Sequence, residues 1–293
     1  MRVLVTGASG QLGGYLLKEL TQAEVETIAW SGSRTGSVCE VPLRPVDLGD
    51  PSCVAAAFDG ARPDAVIHAG GMASVADCHK NPDLARRINV QGTAVLAELA
   101  KRNSSRFVYV STDLVFDGEK SWYREQDAPS PLSAYGRTKA DAESIVKATP
   151  NGVVARVSLL YGPSLVGRTS FFDQQVIALR EGRPLTLFED EWRTPVDMTT
   201  AARALAAIAS SDFVGTLHVG GPERMTRLEM GRRMAACLKL DSASLNPSSR
   251  AEACFAEPRP RDTSLDSSQW RRAFPNLVWP HLELAIQQMI SVV

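Results

Sequence analysis

The amino-acid sequence predicts an α/β fold: a doubly wound parallel sheet with helices on both faces, joined to a smaller C-terminal lobe. Three observations carry this expectation. Short, nearly uninterrupted apolar runs recur through the first half, as strands buried on both faces of a parallel sheet require. Amphipathic helical patterns separate those runs, and right-handed crossovers then place helices on both sides. Near Pro163 the rhythm changes to Pro- and Gly-punctuated segments interleaved with helices.

In order, residues 2–6 form a first apolar strand, followed by glycines and by Leu12, Leu16, Leu17 and Leu20 at helical spacing. Residues 25–30 read as the second strand and 64–68 as a third clear one, ending in Ala69-Gly70-Gly71. A helical pattern runs over 84–102 through Ile88, Val95, Leu96 and Leu99, and 107–110 and 153–160 are further buried strands. Beyond them, 198–208 and 228–238 read as helices, 216–219 as strand-like, and 242–249 and 257–261 as loops.

The bulk properties exclude more than they identify. A chain of 293 residues accommodates one large or two ordinary domains. With 44% hydrophobic residues it can bury a large core, which removes the disordered and disulfide-scaffold classes. The 32 Lys+Arg against 33 Asp+Glu leave a net charge of −1, without the basic excess of a nucleic-acid binder. No apolar run approaches the roughly 18 residues of a membrane helix, and the apolar strand starting at Arg2 leaves no room for a signal peptide. Five scattered cysteines without a CxxC pair read as reduced thiols, so a cytoplasmic location without nucleic-acid or membrane partners is expected.

The first chemical signal is Thr6-Gly7-Ala8-Ser9-Gly10-Gln11-Leu12-Gly13, set between the first strand and the first helix. Glycines there permit a tight turn, close approach to a pyrophosphate and close packing of helix on sheet. The helix N-terminus adds free N–H groups and the positive end of its dipole. In that context a dinucleotide site outweighs an ordinary turn, and Gly7, Ser9, Gly10, Gln11, Leu12 and Gly13 are its candidates. After the second strand the chain reads Ser31-Gly32-Ser33-Arg34, with no acid to hold a ribose 2′-hydroxyl. Ser33 and Arg34 suit a 2′-phosphate instead, so NADPH is the expected cofactor and NADH the alternative. Ala69, Gly70 and Gly71, at the carboxyl end of a strand, border the same crevice.

The second signal is Tyr135-Gly136-Arg137-Thr138-Lys139. At about 100° per residue, Tyr135 and Lys139 share one helix face. An ammonium beside a phenol stabilises the phenolate and lowers a pKa that is ordinarily about 10. Such a tyrosine exchanges a proton with a carbonyl oxygen as hydride moves to or from its carbon. Thr112, following the strand 107–110, is placed to hydrogen-bond the same oxygen, with Asp113 as a second polar contact. Asn89 is expected to hold helix to sheet, and His68 to be a satisfied core histidine.

Together these segments resemble the extended branch of the short-chain dehydrogenase/reductase superfamily, with its TGxxGxxG loop and YxxxK pair, and within it the dTDP-4-dehydrorhamnose reductase family. The resemblance rests on Gly10-Gln11-Leu12-Gly13, on Ser111 to Gly118 (STDLVFDG), on Tyr135 to Lys139, on Arg193-Thr194-Pro195 and on Arg259-Pro260 with Leu265-Asp266. It implies a Rossmann domain over 1–162, with 196–222 returning to it, and a substrate-binding lobe from 163–195 and 223–293. It further implies NADPH-dependent reduction of the 4-keto group of a nucleoside-diphosphate-linked deoxy sugar. Thr112, Tyr135 and Lys139 would be catalytic, and Tyr135 and Lys139 would also touch the cofactor. Asp47 and Leu48 would lie near adenine. Asp113, Val115, Leu159, Phe171, Arg193 and Arg259 would contact substrate.

The chain departs from the family pattern at Leu114, Leu159 and Ser170. Gly14 and Tyr15 stand where some members carry a dimer-bridging, metal-associated acid, so no metal is expected. A homodimer is expected. The alternatives are an epimerase or dehydratase of the same superfamily, or a non-catalytic NADP-binding regulatory subunit like that of methionine adenosyltransferase, acting in a heteromer.

Overall fold

The computed structural model describes residues 1–290 and is organised by one eight-stranded sheet. Across the sheet the strands run Gly215–Val219, Gly152–Val157, Arg106–Thr112, Ala65–His68, Arg2–Thr6, Glu26–Ser31, Val41–Pro45 and Ser37–Val38. All neighbours are parallel except the last pair, an antiparallel edge. The order reverses beside Arg2–Thr6, which opens a crevice at the carboxyl ends of the central strands.

The alternating side chains of one strand explain the layering. Val3 and Val5 point into a core with Leu16, Leu17 and Leu20 of helix Gln11–Gln22 and with Leu205 and Ile208 of helix Met198–Ala209. Leu4, between them, points to the other face, where Phe58, Leu96, Ala142 and Val146 come from helices Pro51–Ala61, Gly92–Arg102 and Ala134–Lys147. Both faces are therefore covered, as the unbroken apolar runs require. Helix Met198–Ala209 and strand Gly215–Val219, although late in the sequence, pack on and extend this same sheet.

The helical pattern over 84–102 is one continuous path with an irregularity. Pro82–Arg86 and Gly92–Arg102 are α-helical, and Arg87–Gln91 between them is a π-turn. Single π-turns inserted in α-helices are frequent at functional sites. This one carries Asn89, whose Oδ1 accepts the Met72 N–H at 2.7 Å while Nδ2 donates to Thr138 Oγ1 at 3.0 Å.

A second core gathers Tyr161, Phe172, Leu179, Leu228, Met234 and Ile286. Its strands are short. Val196–Asp197 pairs with Leu160–Tyr161, Trp192–Arg193 with Met225–Thr226, and Leu185–Phe188 with Leu245–Ser248. The last pair corrects the expectation of a loop over 242–249: Asn246 and Pro247 are exposed, so the strand lacks an apolar run, yet its ladder forms. Residues 257–261 contain no helix and no strand, as expected. No helix among the described residues is long and apolar enough to cross a membrane.

Candidate active site

A cleft of about 1010 Å³ runs along the carboxyl ends of the central strands. At one end lies the glycine loop. Gly7 takes a left-handed φ of +69°, and Gly10 N–H donates to Gly7 O at 2.8 Å to close the turn. Gly13 lets the helix press against that turn, since a Cβ there would lie 2.3 Å from Gly7 O. Helices Pro51–Ala61, Ala134–Lys147, Phe171–Arg180, Met198–Ala209 and Arg227–Cys237 are capped by Asp50, Ser133, Ser170, Asp197 and Thr226 side chains. Helix Gln11–Gln22 starts at Gly10 with no side-chain cap. Its first N–H groups face the cleft with no side-chain acceptor, which suits an anionic phosphate.

The loop after strand Ala65–His68 is held against the glycine turn by a directional chain of hydrogen bonds. Gly70 N–H donates to Thr6 Oγ1 at 3.0 Å, and Thr6 and His68 Nδ1 meet at 2.6 Å. His68 Nε2 and Thr93 Oγ1 meet at 3.0 Å, and Thr93 donates to Asn89 O at 2.6 Å. The chain is consistent with a neutral imidazole protonated on Nε2. Burial, and then the charge of Lys139, lower the His68 pKa to about 3. His68 is a satisfied core histidine.

Midway along the cleft, Thr112 ends its strand and Tyr135 and Lys139 project from helix Ala134–Lys147. Gly136 is needed beside Tyr135 because the helix crosses the 113–115 turn so closely that a Cβ would lie 2.3 Å from Leu114 O. Thr112 Oγ1 accepts the Leu114 N–H and faces Asp113, each at 3.2 Å. Lys139 departs from the expected arrangement. Its Nζ donates to Val110 O at 2.7 Å and lies 4.1 Å from the centre of the Tyr109 ring. Burial lowers its pKa to about 7, opposed by Glu143 and Cys78. The Tyr135 phenol moves upward from its ordinary value, through burial first and Asp113 second, while the Thr112 hydroxyl opposes the rise. In this state the phenol is held protonated; it is not drawn toward phenolate.

Behind these groups lies a buried ion pair. Glu143 accepts Ser111 Oγ at 2.6 Å and two guanidinium N–H groups of Arg156 at 2.9 and 2.7 Å. Burial alone would raise the Glu143 pKa; the Arg156 hydrogen bonds and charge, with Ser111, hold it below the usual value. Arg156 Nη1 also meets His218 Nε2 at 3.2 Å, and His218 Nδ1 meets Tyr123 O at 3.0 Å. Burial and Arg156 lower the His218 pKa to about 3, so this ring too is neutral.

At the far end the charge density rises. Asp113 Oδ2 accepts Thr263 Oγ1 at 3.0 Å and Ser158 Oγ at 3.2 Å, and lies 3.5 Å from Arg193 Nε. Burial raises the Asp113 pKa against the pull of Arg193 and these hydroxyls. The ladder pairing Trp192–Arg193 with Met225–Thr226 brings Glu191 and Arg193 alongside Arg227. Buried Glu191 binds Arg259 through both carboxylate oxygens and lies 3.9 Å from Arg193. Arg193, Arg227 and Arg259 all line the cleft.

Of the residues singled out from sequence, the cleft gathers Gly7, Ser9, Gly10, Gln11, Leu12, Gly13, Asp47, Leu48, Ala69, Gly70, Gly71, Thr112, Asp113, Tyr135, Lys139, Leu159, Arg193 and Arg259. Four lie elsewhere. Val115 is 0% exposed, sealed into a cluster with Phe116, Tyr123 and Leu265, because the 113–115 turn rotates it inward. Phe171 packs against the second core with its ring 5.4 Å from the Arg227 guanidinium, so it supports that side chain from behind. Ser33 is exposed, and Arg34 spends Nη1 on Val166 O at 2.6 Å; the wall there is Trp30, Ser31 and Gly32.

Sequence reasoning missed Arg168, Arg227 and Glu257. Arg168 and Gln11 latch the 163–168 loop over the glycine turn, through Arg168 Nη2 to Ser9 O at 3.0 Å and Gln11 Nε2 to Arg168 O at 2.7 Å. Glu257 accepts the Ala134 N–H at 2.8 Å, tying the 250–261 segment to the start of the Tyr135 helix. Arg168 and Glu257 are lone residues in irregular segments and Arg227 is a lone cation at the start of a helix, so no spacing marks them.

Comparison with known proteins agrees with this architecture. The RmlD substrate binding domain family matches over residues 1–293. A probable low-salt glycan biosynthesis reductase, Agl14, of Haloferax volcanii is 30% identical over 276 residues, covering 92% of this chain and 90% of its own. Methionine adenosyltransferase 2 subunit beta of Pongo abelii is 32% identical over 287 residues, covering 92% and 81%. A dTDP-4-dehydrorhamnose reductase ortholog from Clostridium acetobutylicum superposes with a TM-score of 0.87 at 26% identity, covering 100% of this chain and 99% of its own. The Bacillus anthracis dTDP-4-dehydrorhamnose reductase in complex with NADP has the same fold, with a TM-score of 0.87 at 24% identity. By sequence and by fold alike, the chain belongs to the RmlD-like family of the extended short-chain dehydrogenase/reductases.

Proposed function

We propose that the protein is an NADPH-dependent reductase of the 4-keto group of a nucleoside-diphosphate-linked deoxy sugar. The observation that carries this reading is a single cleft that joins an uncapped helix N-terminus, a Thr112/Tyr135/Lys139 group and an arginine cluster, in that order. Residues 1–162 and 196–222 hold the cofactor in this reading, and 163–195 and 223–293 receive the sugar nucleotide. The glycine turn and the first N–H groups of helix Gln11–Gln22 take the pyrophosphate. Asp47 and Leu48 border the adenosine, and Ala69, Gly70 and Gly71 the middle of the dinucleotide. The Clostridium and Bacillus reductases and the Haloferax relative support the reaction class.

The bound nicotinamide supplies or accepts hydride at the substrate carbon. The chain's own residues manage the oxygen. Thr112 and Tyr135 fix the carbonyl oxygen by hydrogen bonds, and Tyr135 delivers its proton as negative charge develops there. The raised phenol pKa keeps that proton in place until then. Lys139, once charged, offsets the tyrosinate left behind and holds ribose hydroxyls; Val110 O orients its amine. Asn89 fixes the helix that carries both groups through Thr138. NADPH absorbance followed with a panel of nucleotide keto-sugars tests the proposal. Turnover that Tyr135→Phe abolishes supports it, and no oxidation with any keto-sugar contradicts it.

A second reading is favoured by the 32% identity to methionine adenosyltransferase 2 subunit beta: a subunit that binds the dinucleotide without turning it over and acts in a heteromer. Cofactor binding without oxidation, together with a stable complex with another enzyme, would select it. The expected homodimer and cytoplasmic site accompany the reductase reading; light scattering and fractionation test them.

A further inference from the structure

Arg227 differs from every other arginine in the cleft. Arg193 has Asp113 at 3.5 Å and Glu191 at 3.9 Å, Arg259 is bound by Glu191, and Arg168 donates to Ser9 O. The neighbouring Arg224 is claimed by Asp262 at 2.6 and 2.8 Å and lies over Trp192. Arg227 opens helix Arg227–Cys237 and lines the cleft, yet among the described residues no carboxylate or carbonyl binds its guanidinium. The Phe171 ring, 5.4 Å away, positions the side chain without neutralising it.

The charges around it do not balance. Three guanidiniums, Arg193, Arg227 and Arg259, face two carboxylates, Asp113 and Glu191, and both carboxylates are engaged by the first and third. A guanidinium does not escape by losing its proton. Burial, and then the like charge of Arg193, lower its pKa to about 10 against the pull of Glu191 and Asp113. The half-buried guanidinium thus feels the attraction of Glu191 and Asp113 but has, among the described residues, no ion-pair or hydrogen-bond partner of its own, and a bound anion would supply one.

We propose that Arg227 is the anion anchor of the substrate half of the cleft, so that the ligand carries a negatively charged group, a phosphate or a carboxylate, against it. The inference rests on the sugar-nucleotide reading and sharpens it. Either the nucleotide diphosphate reaches past Arg193 and Arg259 to Arg227, or the sugar itself carries an acid. An arginine fork matches both oxyanions in geometry.

The test is calorimetric titration of wild type, Arg227→Gln and Arg227→Lys with dTDP, thymidine, UDP-glucose and UDP-glucuronate, plus melting of each ligand-free protein. Removing one charge-assisted contact should weaken dTDP by roughly tenfold or more. Thymidine should be unaffected, and R227K should keep much of the affinity. Ligand-free R227Q should melt no lower than wild type, because the guanidinium removed is half-buried, faces Arg193 and has, among the described residues, no ion pair of its own. If R227Q weakens only UDP-glucuronate, and UDP-glucose and dTDP are unchanged, the anion is on the sugar. Affinities equal in wild type and R227Q for every anion, or a lower melting point with unchanged affinity, would overturn the proposal. Wild type binding none of the nucleotides would overturn it together with the sugar-nucleotide reading. Binding that depends on Arg227 without any NADPH oxidation would leave the anchor standing and remove the reductase.

Discussion

Glu143→Gln is a nearly isosteric change with a large expected cost. Glu143 and Arg156 are both 0% exposed, so neither charge has water to fall back on. The carboxylate accepts from Ser111 at 2.6 Å and from Arg156 at 2.9 and 2.7 Å, and Lys147 approaches at 3.3 Å. A carboxamide offers one acceptor oxygen and turns an NH₂ toward at least one of those donors. Arg156 is then a buried cation held by His218 and the Glu125 carbonyl, neither of which is charged. Breaking a buried pair from one side costs about 3–5 kcal/mol. For a chain of this size that corresponds to a melting point lower by roughly 5–8 °C. Urea unfolding at pH 7 reads the loss directly, through the midpoint at constant m. The double variant Glu143→Leu/Arg156→Met, which removes both charges, should recover most of it. A Glu143→Gln cost below about 1 kcal/mol, or a double variant that loses the sum of the singles, would refute the reasoning.

Three further outcomes follow from the same geometry. Lys139→Met should not lower the melting point at pH 6, because burial penalises the ammonium (pKa about 7 folded, against 10.5 as reference), while turnover should fall by orders of magnitude; a clear loss of stability would contradict this. Neutral His68 and His218, with pKa values near 3 in the fold and 6.5 as reference, bind fewer protons folded than unfolded. Their contribution is complete above about pH 6.5 and is lost as pH falls toward 3, at up to about 1.4 kcal/mol per pH unit for each ring. A His218→Gln variant should flatten that acid limb, and an unchanged slope would count against the assignment. Gly13→Ala puts a Cβ 2.3 Å from Gly7 O, so it should cost about 1–3 kcal/mol and weaken NADPH binding; fluorescence titration showing wild-type affinity would argue against the glycine turn as a phosphate cradle.

The parts of the molecule that were legible in sequence share a physical reason. Strands Arg2–Thr6, Ala65–His68 and Arg106–Thr112 are buried on both faces, so their central residues are apolar, with polar groups at their ends, and their helices must be amphipathic. The glycine turn and the Tyr135–Lys139 pair were legible because backbone proximity and helical spacing restrict residue types locally. Strand Leu245–Ser248 was not, since its pairing with Leu185–Phe188 is long-range and its own residues are half-exposed. Lys139 was misread in its electrostatics, because the Val110 carbonyl and the Tyr109 ring that surround it come from a distant strand. Val115 was misplaced because a family motif fixes its position in the chain, whereas the turn at 113–115 decides which way it faces. Arg227 left no trace in sequence because its meaning lies in which carboxylates its neighbours occupy.

The central claim, a cleft built for hydride transfer, is tested most directly by pairing binding with turnover in Tyr135→Phe. Tyr135→Phe should retain NADPH binding, with keto-sugar-dependent NADPH oxidation reduced at least about a hundredfold, the range expected for loss of a positioned general acid. Oxidation in Tyr135→Phe at the wild-type rate, or wild type that binds NADPH and oxidises it with no keto-sugar, would contradict it.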